Sequence, residues 1–195
     1  MVLEIITIVI ACLSLAISAI TAWLTLLRKG TVRMTQPTMI FFGYDPDGSS
    51  KVFLRTLLYS TSKRSQIVES MFIRLQRGES SQTFNIWVYG NGSLARGSGI
   101  KVGPDGVTYN HHFLIPKDGT VYEFLAGDYV VEVYAALVNA RSPILLYRLR
   151  LSLSSEHATA LKDRNVGVFF DWGPDSQKYH AYIDIRPARR LSNAV

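Results

Sequence analysis

The sequence predicts a mainly β protein, an antiparallel β-sandwich preceded by one N-terminal transmembrane α-helix. Two observations carry this prediction. Residues 5–27 contain no charged residue, glycine or proline, and beyond residue 34 apolar and polar residues alternate in short runs separated by turn sequences. Alternation of this kind is typical of half-buried antiparallel strands. The chain of 195 residues is long enough for one such domain with its own core.

The uncharged run at residues 5–27 has the length of a transmembrane helix. At about 1.5 Å per residue, it exceeds the ~30 Å hydrocarbon layer of a bilayer. The alternative is a cleaved signal peptide, which would begin with basic residues and end at a cleavage site of small residues. Because the chain begins with Met-Val-Leu-Glu, we expect a retained membrane anchor.

Charged residues beside the span predict its orientation. Arg28, Lys29 and Arg33 follow the span, whereas Glu4 is the charged side chain that precedes it. The positive-inside rule therefore places the C-terminal domain in the cytoplasm. The same three basic residues are expected to contact anionic lipid at the membrane surface, and the basic pair at residues 189–190 would extend this patch.

Small side chains of the span fall on one face of the predicted helix. They recur at alternating intervals of four and three residues, at Thr7, Ala11, Ser14, Ser18, Thr21 and Thr25. A seam of small residues lets two helices approach closely, and a heptad spacing gives left-handed packing. We therefore predict a homo-oligomer, or pairing with a partner membrane protein. In one alternative each hydroxyl bonds the backbone of its own helix; in another, the seam lines a small channel regulated by the sandwich domain.

Beyond the span, we predict a basic juxtamembrane linker at residues 28–36 and the β-sandwich domain at residues 37–190. A short helix is expected at residues 155–162, with a serine as its N-cap. Strands are predicted at residues 38–44, 51–59, 66–76, 82–89, 107–115, 127–138, 143–153, 165–172 and 178–186.

The alternation is clearest at residues 144–153. Turn sequences that place Pro or Asp before Gly, at residues 45–48, 103–106 and 117–119, indicate hairpins between such runs. One face of the strand would carry Leu145, Tyr147, Leu149, Leu151 and Leu153, and the other Arg148, Arg150 and Ser152.

One strand start carries a resemblance to a known family. Gly127, Asp128 and Tyr129 open a predicted strand, and this Gly-x-Tyr pattern resembles a strand start of immunoglobulin-like sandwiches. The resemblance implies an immunoglobulin-like form of the predicted sandwich.

Residues 97–112 carry a second resemblance. They place a Gly-Ser-Gly strand and a Pro-Asp-Gly turn before Asn110, His111 and His112. This order is similar to the opening hairpin of trypsin-like serine proteases of the high-temperature-requirement type, which implies a catalytic histidine in an Asn-x-His pattern. Such an enzyme also needs a nucleophilic serine, and residues 113–195 contain no Gly-x-Ser-Gly. We therefore predict a non-catalytic domain and keep a trypsin-like hydrolase relative as a remote alternative.

The histidines do not predict a metal site. His111 and His112 are neighbours, so a strand directs them to opposite faces, and His157 and His180 show no ligand spacing to them. We expect no metal and no cofactor. The net charge of +6 is spread along the chain without any recognised nucleic-acid-binding module, so no nucleic acid is expected as a partner.

These observations together predict a membrane-anchored, non-catalytic domain that binds a protein partner or ligand at the membrane surface. Its expected partners also include membrane lipid and a second copy of the chain. We expect the binding surface at a sheet edge or in the loops at one end, where residues 89–101 are the longest irregular stretch, because long loops on a rigid sandwich commonly carry recognition.

Overall fold

The computed structural model describes residues 1–27, 30–91, 93–118, 120–138 and 140–185. The chain begins with helix α1 (Val2–Ala22), which continues as a π-helical turn over Trp23–Leu27. No residue of α1 is buried. The helix therefore makes no part of the core.

Thirteen strands and one short helix follow in the described part of the chain. The helix is α2 (Ser155–Ala160). The strands are β1 (Val32–Met34), β2 (Met39–Tyr44), β3 (Ser50–Ser60), β4 (Gln66–Arg77), β5 (Ser80–Phe84), β6 (Ile86–Gly90), β7 (Ala95–Arg96), β8 (Ile100–Val102), β9 (Val107–Leu114), β10 (Gly127–Leu137), β11 (Ile144–Leu153), β12 (Val166–Gly173) and β13 (Lys178–Ile185).

The strands form two antiparallel sheets. The first has eight strands in the order β13-β12-β2-β3-β9-β6-β7, with β1 also paired to β3. The second has five strands in the order β11-β10-β4-β5, with β8 also paired to β4. The predicted fold class is therefore confirmed: two antiparallel sheets preceded by one apolar helix. The narrower immunoglobulin-like assignment stays a prediction.

The core lies between the inner faces of the two sheets. Phe42, Phe113 and Phe170 face inward from the first sheet, and Ile73 and Tyr129 from the second; each is at most 2% exposed. Burying a side chain of this size contributes about 1.5–3 kcal/mol. Alternate residues of the longer strands supply this core, as the period-two pattern predicts.

Each of the nine predicted strand regions contains a strand, and the predicted short helix forms as α2. The Oγ of Ser154 accepts a hydrogen bond from the backbone N–H of His157, so serine capping is also confirmed. Residues 82–89 were predicted as one strand but contain two, because the chain leaves the second sheet after Phe84 and enters the first sheet at Ile86. Strand β1 lies inside the stretch predicted as linker.

The face assignment for β11 was wrong at its start. Leu145 was predicted inside but is 44% exposed, while its neighbour Leu146 is 8% exposed. The reason is a bulge: Val133 pairs with Tyr147 and Tyr134 with Leu145, so Leu146 has no partner in the register. An extra residue in one strand reverses the alternation at that point.

The loops gather at two opposite ends of the domain. At one end, Thr31 and Thr61 exchange two hydrogen bonds of 3.0 Å, and the N–H of Ser60 donates to the oxygen of Gly103 over 2.9 Å. The helix-proximal end is defined as residues 61–65, 103–106, 138 and 140–143. The far end is defined as residues 45–49, 78–79, 115–118, 120–126 and 154–165.

Candidate membrane and binding surfaces

Within the described residues, Val2–Thr25 is the one helix long and apolar enough to cross a membrane, a property that a signal sequence shares. Its predicted seam is exposed from Thr7 to Thr21, and Thr25 is half-buried. The threonine hydroxyls donate to carbonyl oxygens of the same helix: Thr7 to Leu3 at 2.9 Å, and Thr21 to Ile17 at 2.8 Å. Thr25 donates to Thr21 at 2.7 Å. A contact between helices at this face would therefore rest on close packing of the seam and on the hydroxyls of Ser14 and Ser18.

Of the predicted membrane-surface residues, the structure describes Arg33. Arg33 is exposed on β1, opposite Tyr59 of β3. Arg28, Lys29 and the pair at residues 189–190 lie outside the described residues.

Residues 89–101, where one expected binding surface lies, are less irregular than the sequence suggests. This stretch contains β7, which pairs with β6, and the start of β8, which pairs with β4. The hydroxyl of Tyr89 donates to the oxygen of Gly99 over 3.0 Å, and the N–H of Gly97 donates to the oxygen of Trp87 over 2.8 Å. A Cβ at Gly97 would lie 2.2 Å from the Trp87 ring. These contacts hold the stretch on the side of the sandwich, while residues 93–96 are exposed, and its role in binding stays a prediction.

The longest connection that has no described helix lies at the far end. Residues 115–118 and 120–126 join β9 to β10 without a described strand or helix. Phe124 anchors the segment in the core and stacks on Phe42 with a centroid distance of 5.1 Å. Val121 is 71% and Leu125 46% exposed. Two large apolar side chains thus face outward from a segment whose middle is fixed in the core.

Two adjoining clefts flank this segment. One, of about 310 Å³, lies against the turn at residues 47–50, and the other, of about 290 Å³, lies against α2. Arg164 lines both clefts. Its guanidinium lies 4.0 Å from the centre of the Tyr44 ring and donates to the oxygen of Gly48 over 3.3 Å. The arginine therefore separates the two clefts while it holds the turn against β2.

The rim of the first cleft carries charged pairs. The ammonium of Lys117 lies 2.7 Å from a carboxylate oxygen of Asp47, and Lys51 lies 2.8 Å from Asp45. The hydrogen bond from Lys117 lowers the pKa of Asp47 to about 2. Ionised pairs around apolar side chains give this end the composition of a polar rim with an apolar centre, which is common in recognition surfaces.

The neighbouring histidines face opposite sides of β9, as predicted. His111 is fully buried, and its Nδ1 accepts a hydrogen bond of 3.1 Å from the Trp87 indole. Burial lowers the pKa of His111 to about 4. His112 packs on the Phe53 ring on the outer face, with a centroid distance of 4.7 Å. In the described part of the chain, no three His, Cys, Asp or Glu side chains are grouped as metal ligands would be.

An aromatic row crosses the outer face of the first sheet and was missed in the sequence. Its members are opposite one another on five adjacent strands: His112, Phe53, Phe41, Phe169 and Tyr182. The signal is absent from any single segment, because the row exists only once the strand register is known. Two glycines beside Phe41, Gly43 and Gly167, leave room for its ring.

The chain has little similarity to known proteins. No family model matches it, and no curated protein matches it. A similar solved structure is the CooA pilin subunit from enterotoxigenic Escherichia coli, at 13% identity and a TM-score of 0.32, covering 63% of this chain and 97% of that one. Another is a family 123 glycoside hydrolase from Clostridium perfringens, at 4% identity and a TM-score of 0.34, covering 65% of this chain and 28% of that one. Similarities at this level assign the chain neither a family nor an activity.

Proposed function

We propose that this protein is a membrane-anchored, non-catalytic β-sandwich that binds a protein partner through the far end of its domain. The observation that carries the proposal is the placement of two features at opposite ends of one sandwich. The apolar helix joins the domain at Thr31, whereas the exposed Val121 and Leu125 lie at the far end beside the clefts around Arg164.

The helix supplies the anchor in this proposal, and the flanking charges supply its direction. Arg28, Lys29 and Arg33 follow the span and Glu4 precedes it, which favours a cytoplasmic domain. The three basic residues then lie at the membrane surface and contact anionic lipid headgroups.

The helix also supplies assembly. Replacing Ser14, Ser18 and Thr21 with Leu is expected to abolish self-association in a membrane-dimerisation reporter, because larger side chains keep the helices apart. The matched control replaces Ile5, Val9 and Ile20 with Leu on the other side of the helix, and it should keep the full signal. An undiminished signal from the seam variant would contradict the assembly part of the proposal.

Liposomes that contain the full chain should retain an enclosed dye, and leakage of the dye would favour the channel alternative.

Site-specific photocrosslinking tests the binding surface. A photoreactive phenylalanine at Val121, 71% exposed at the far end, should give a discrete crosslinked protein in native membranes. The matched control carries the same group at Leu94, which is 49% exposed on the side of the sandwich. Identical crosslinking from both positions, or none from Val121, would contradict a binding surface at the far end.

A further inference from the structure

The two ends of the domain differ in charge. The loops of the helix-proximal end carry three basic residues, Lys63, Arg64 and Arg141, and one acidic residue, Asp105. The loops of the far end carry three basic and seven acidic residues. Both sets of loops thus carry three basic residues, and the ends differ in their acidic residues: the helix-proximal loops have a net charge of +2 and the far loops a net charge of −4.

These three basic side chains are exposed and available. The side chains of Lys63, Arg64 and Arg141 are exposed. None of them forms a salt bridge or side-chain hydrogen bond with another described residue. At the far end, by contrast, Lys117 is paired with Asp47. Unpaired cations collected on one surface attract an anionic surface within about one Debye length, roughly 8 Å at physiological salt.

The chain holds this end close to the membrane. Thr31 follows the end of the π-helical turn, Leu27, by four residues, which reach at most about 14 Å when extended. The two hydrogen bonds between Thr31 and Thr61 fix the loop at residues 61–65 to that point. A headgroup layer is only about 5–8 Å thick. If the helix spans the bilayer, the helix-proximal end therefore lies within about 14 Å of the end of the span, a distance that includes the headgroup layer.

The same end has a cleft lined by both polar and apolar side chains. A cleft of about 510 Å³ lies between the sheets, with Leu137, Ala140 and Ile144 among its walls and Arg64 among its polar groups. Beside it, Val138 is 55% exposed at the end of β10. Apolar side chains next to basic ones match the chemistry of a lipid, whose phosphate lies close to its acyl chains.

We propose that the helix-proximal end is a docking surface for the anionic leaflet of the membrane. Lys63, Arg64 and Arg141 contact headgroup phosphates, and Val138 lies in the apolar part of the interface. The docking rests on the proposed function, since it needs the helix to span the bilayer. Docking at this end would direct the opposite, far end of the sandwich, which carries Val121, away from the membrane.

Fluorescence quenching in nanodiscs tests this docking on the full chain. In a Cys12→Ser background, a fluorophore is attached through Ser142→Cys, beside Arg141, or through Thr120→Cys at the far end. The discs contain phosphatidylcholine alone or with phosphatidylglycerol, and a headgroup-nitroxide lipid is the quencher. The probe at position 142 should be quenched more strongly in the anionic discs and should lose that increase at high salt. The probe at position 120 should be quenched in neither.

Charge-neutralised variants identify the residues responsible. Lys63→Gln, Arg64→Gln and Arg141→Gln in combination should remove the lipid-dependent quenching, at about a fivefold fall in the docked-to-undocked ratio per residue. The control combination Arg96→Gln, Arg150→Gln and Lys162→Gln loses the same charge elsewhere and should keep it. Quenching that ignores lipid charge, or survives the first combination, would overturn the docking alone. A chain missing from both kinds of disc would overturn the membrane span and the docking with it.

Discussion

Glu132 is a buried carboxylate on the outer face of the second sheet, with only 5% of its surface exposed. Arg148 donates to it through Nε at 2.8 Å and through Nη2, and the hydroxyl of Tyr134 donates at 2.9 Å. Arg74 adds a second cationic neighbour at 3.8 Å. Burial raises the pKa of this carboxyl, but the hydrogen bonds from Arg148 and Tyr134 outweigh it, so the pKa lies below its usual value.

Glu132→Gln should therefore lower the free energy of unfolding by about 1–3 kcal/mol, because the amide cannot replace the charged hydrogen bonds to Arg148. Urea denaturation of the full chain in detergent measures this. Because the folded-state pKa is lowered, the contribution of Glu132 is present above its unfolded pKa and is lost as the pH falls through the folded pKa. Glu69→Gln, at an exposed position of β4, is the control. Equal effects from both substitutions would contradict a stabilising role for the buried carboxylate.

Phe41 lies across two glycines, Gly43 on its own strand β2 and Gly167 on the neighbouring strand β12. Its ring would be 2.4 Å from a Cβ at Gly43 and 2.0 Å from a Cβ at Gly167, and its own surface is 4% exposed. Gly167→Ala should push the ring out of the aromatic row and cost about 1–3 kcal/mol. The control is Gly103→Ala, where the nearest atom to a Cβ is 3.5 Å away. Thermal unfolding compares the two, and an unchanged midpoint for Gly167→Ala would contradict the packing of Phe41.

The histidine pair makes stability depend on pH. Burial lowers the pKa of both His111 and His112 to about 4. Between that value and about 6.5 the unfolded chain binds protons that the folded chain does not. The free energy of unfolding therefore decreases as the pH is lowered, by at most about 1.4 kcal/mol per pH unit for each histidine. His111→Phe should remove one of the two contributions to this slope. A slope unaffected by His111→Phe would contradict its burial.

At the scale of elements, the sequence predicts those that follow a regular period. Long strands such as β4 and β10 alternate over ten or more residues, so their burial can be read from the pattern. The short strands β1, β7 and β8 have two or three residues, too few to show a period. Residues 89–101 show this limit: they look irregular in the sequence, but β7 and the start of β8 form within them.

The bulge in β11 gives a matched pair of substitutions. Leu146→Ala should cost about 2–4 kcal/mol because its side chain is 8% exposed in the core. Leu145→Ala should cost well under that, at most about 1 kcal/mol, since Leu145 is 44% exposed. Urea denaturation of the two variants measures the difference. Strict alternation predicts the opposite order, so a larger loss for Leu145→Ala would contradict the bulge.

At the scale of the molecule, the end of the sandwich that joins the helix and the opposite end differ in net charge. The helix joins the sandwich at the end where Lys63, Arg64 and Arg141 gather, and the acidic loops lie at the other end. The sequence shows only that basic residues are scattered, because residues 63–64 and Arg141 are brought together by the turn between β3 and β4 and the turn between β10 and β11. The apolar helix could be predicted because its residues are contiguous in the sequence. The surfaces of the domain could not, because their residues come together only through strand pairing.

The central claim is that residues 5–27 are retained as a membrane anchor for the sandwich. Alkaline extraction of membranes from cells that express the full chain, followed by mass measurement of the recovered protein, tests it most directly. The account predicts a chain that stays in the membrane pellet with its N-terminal segment intact. A soluble chain that has lost residues 5–27 would show a cleaved signal peptide and contradict the account.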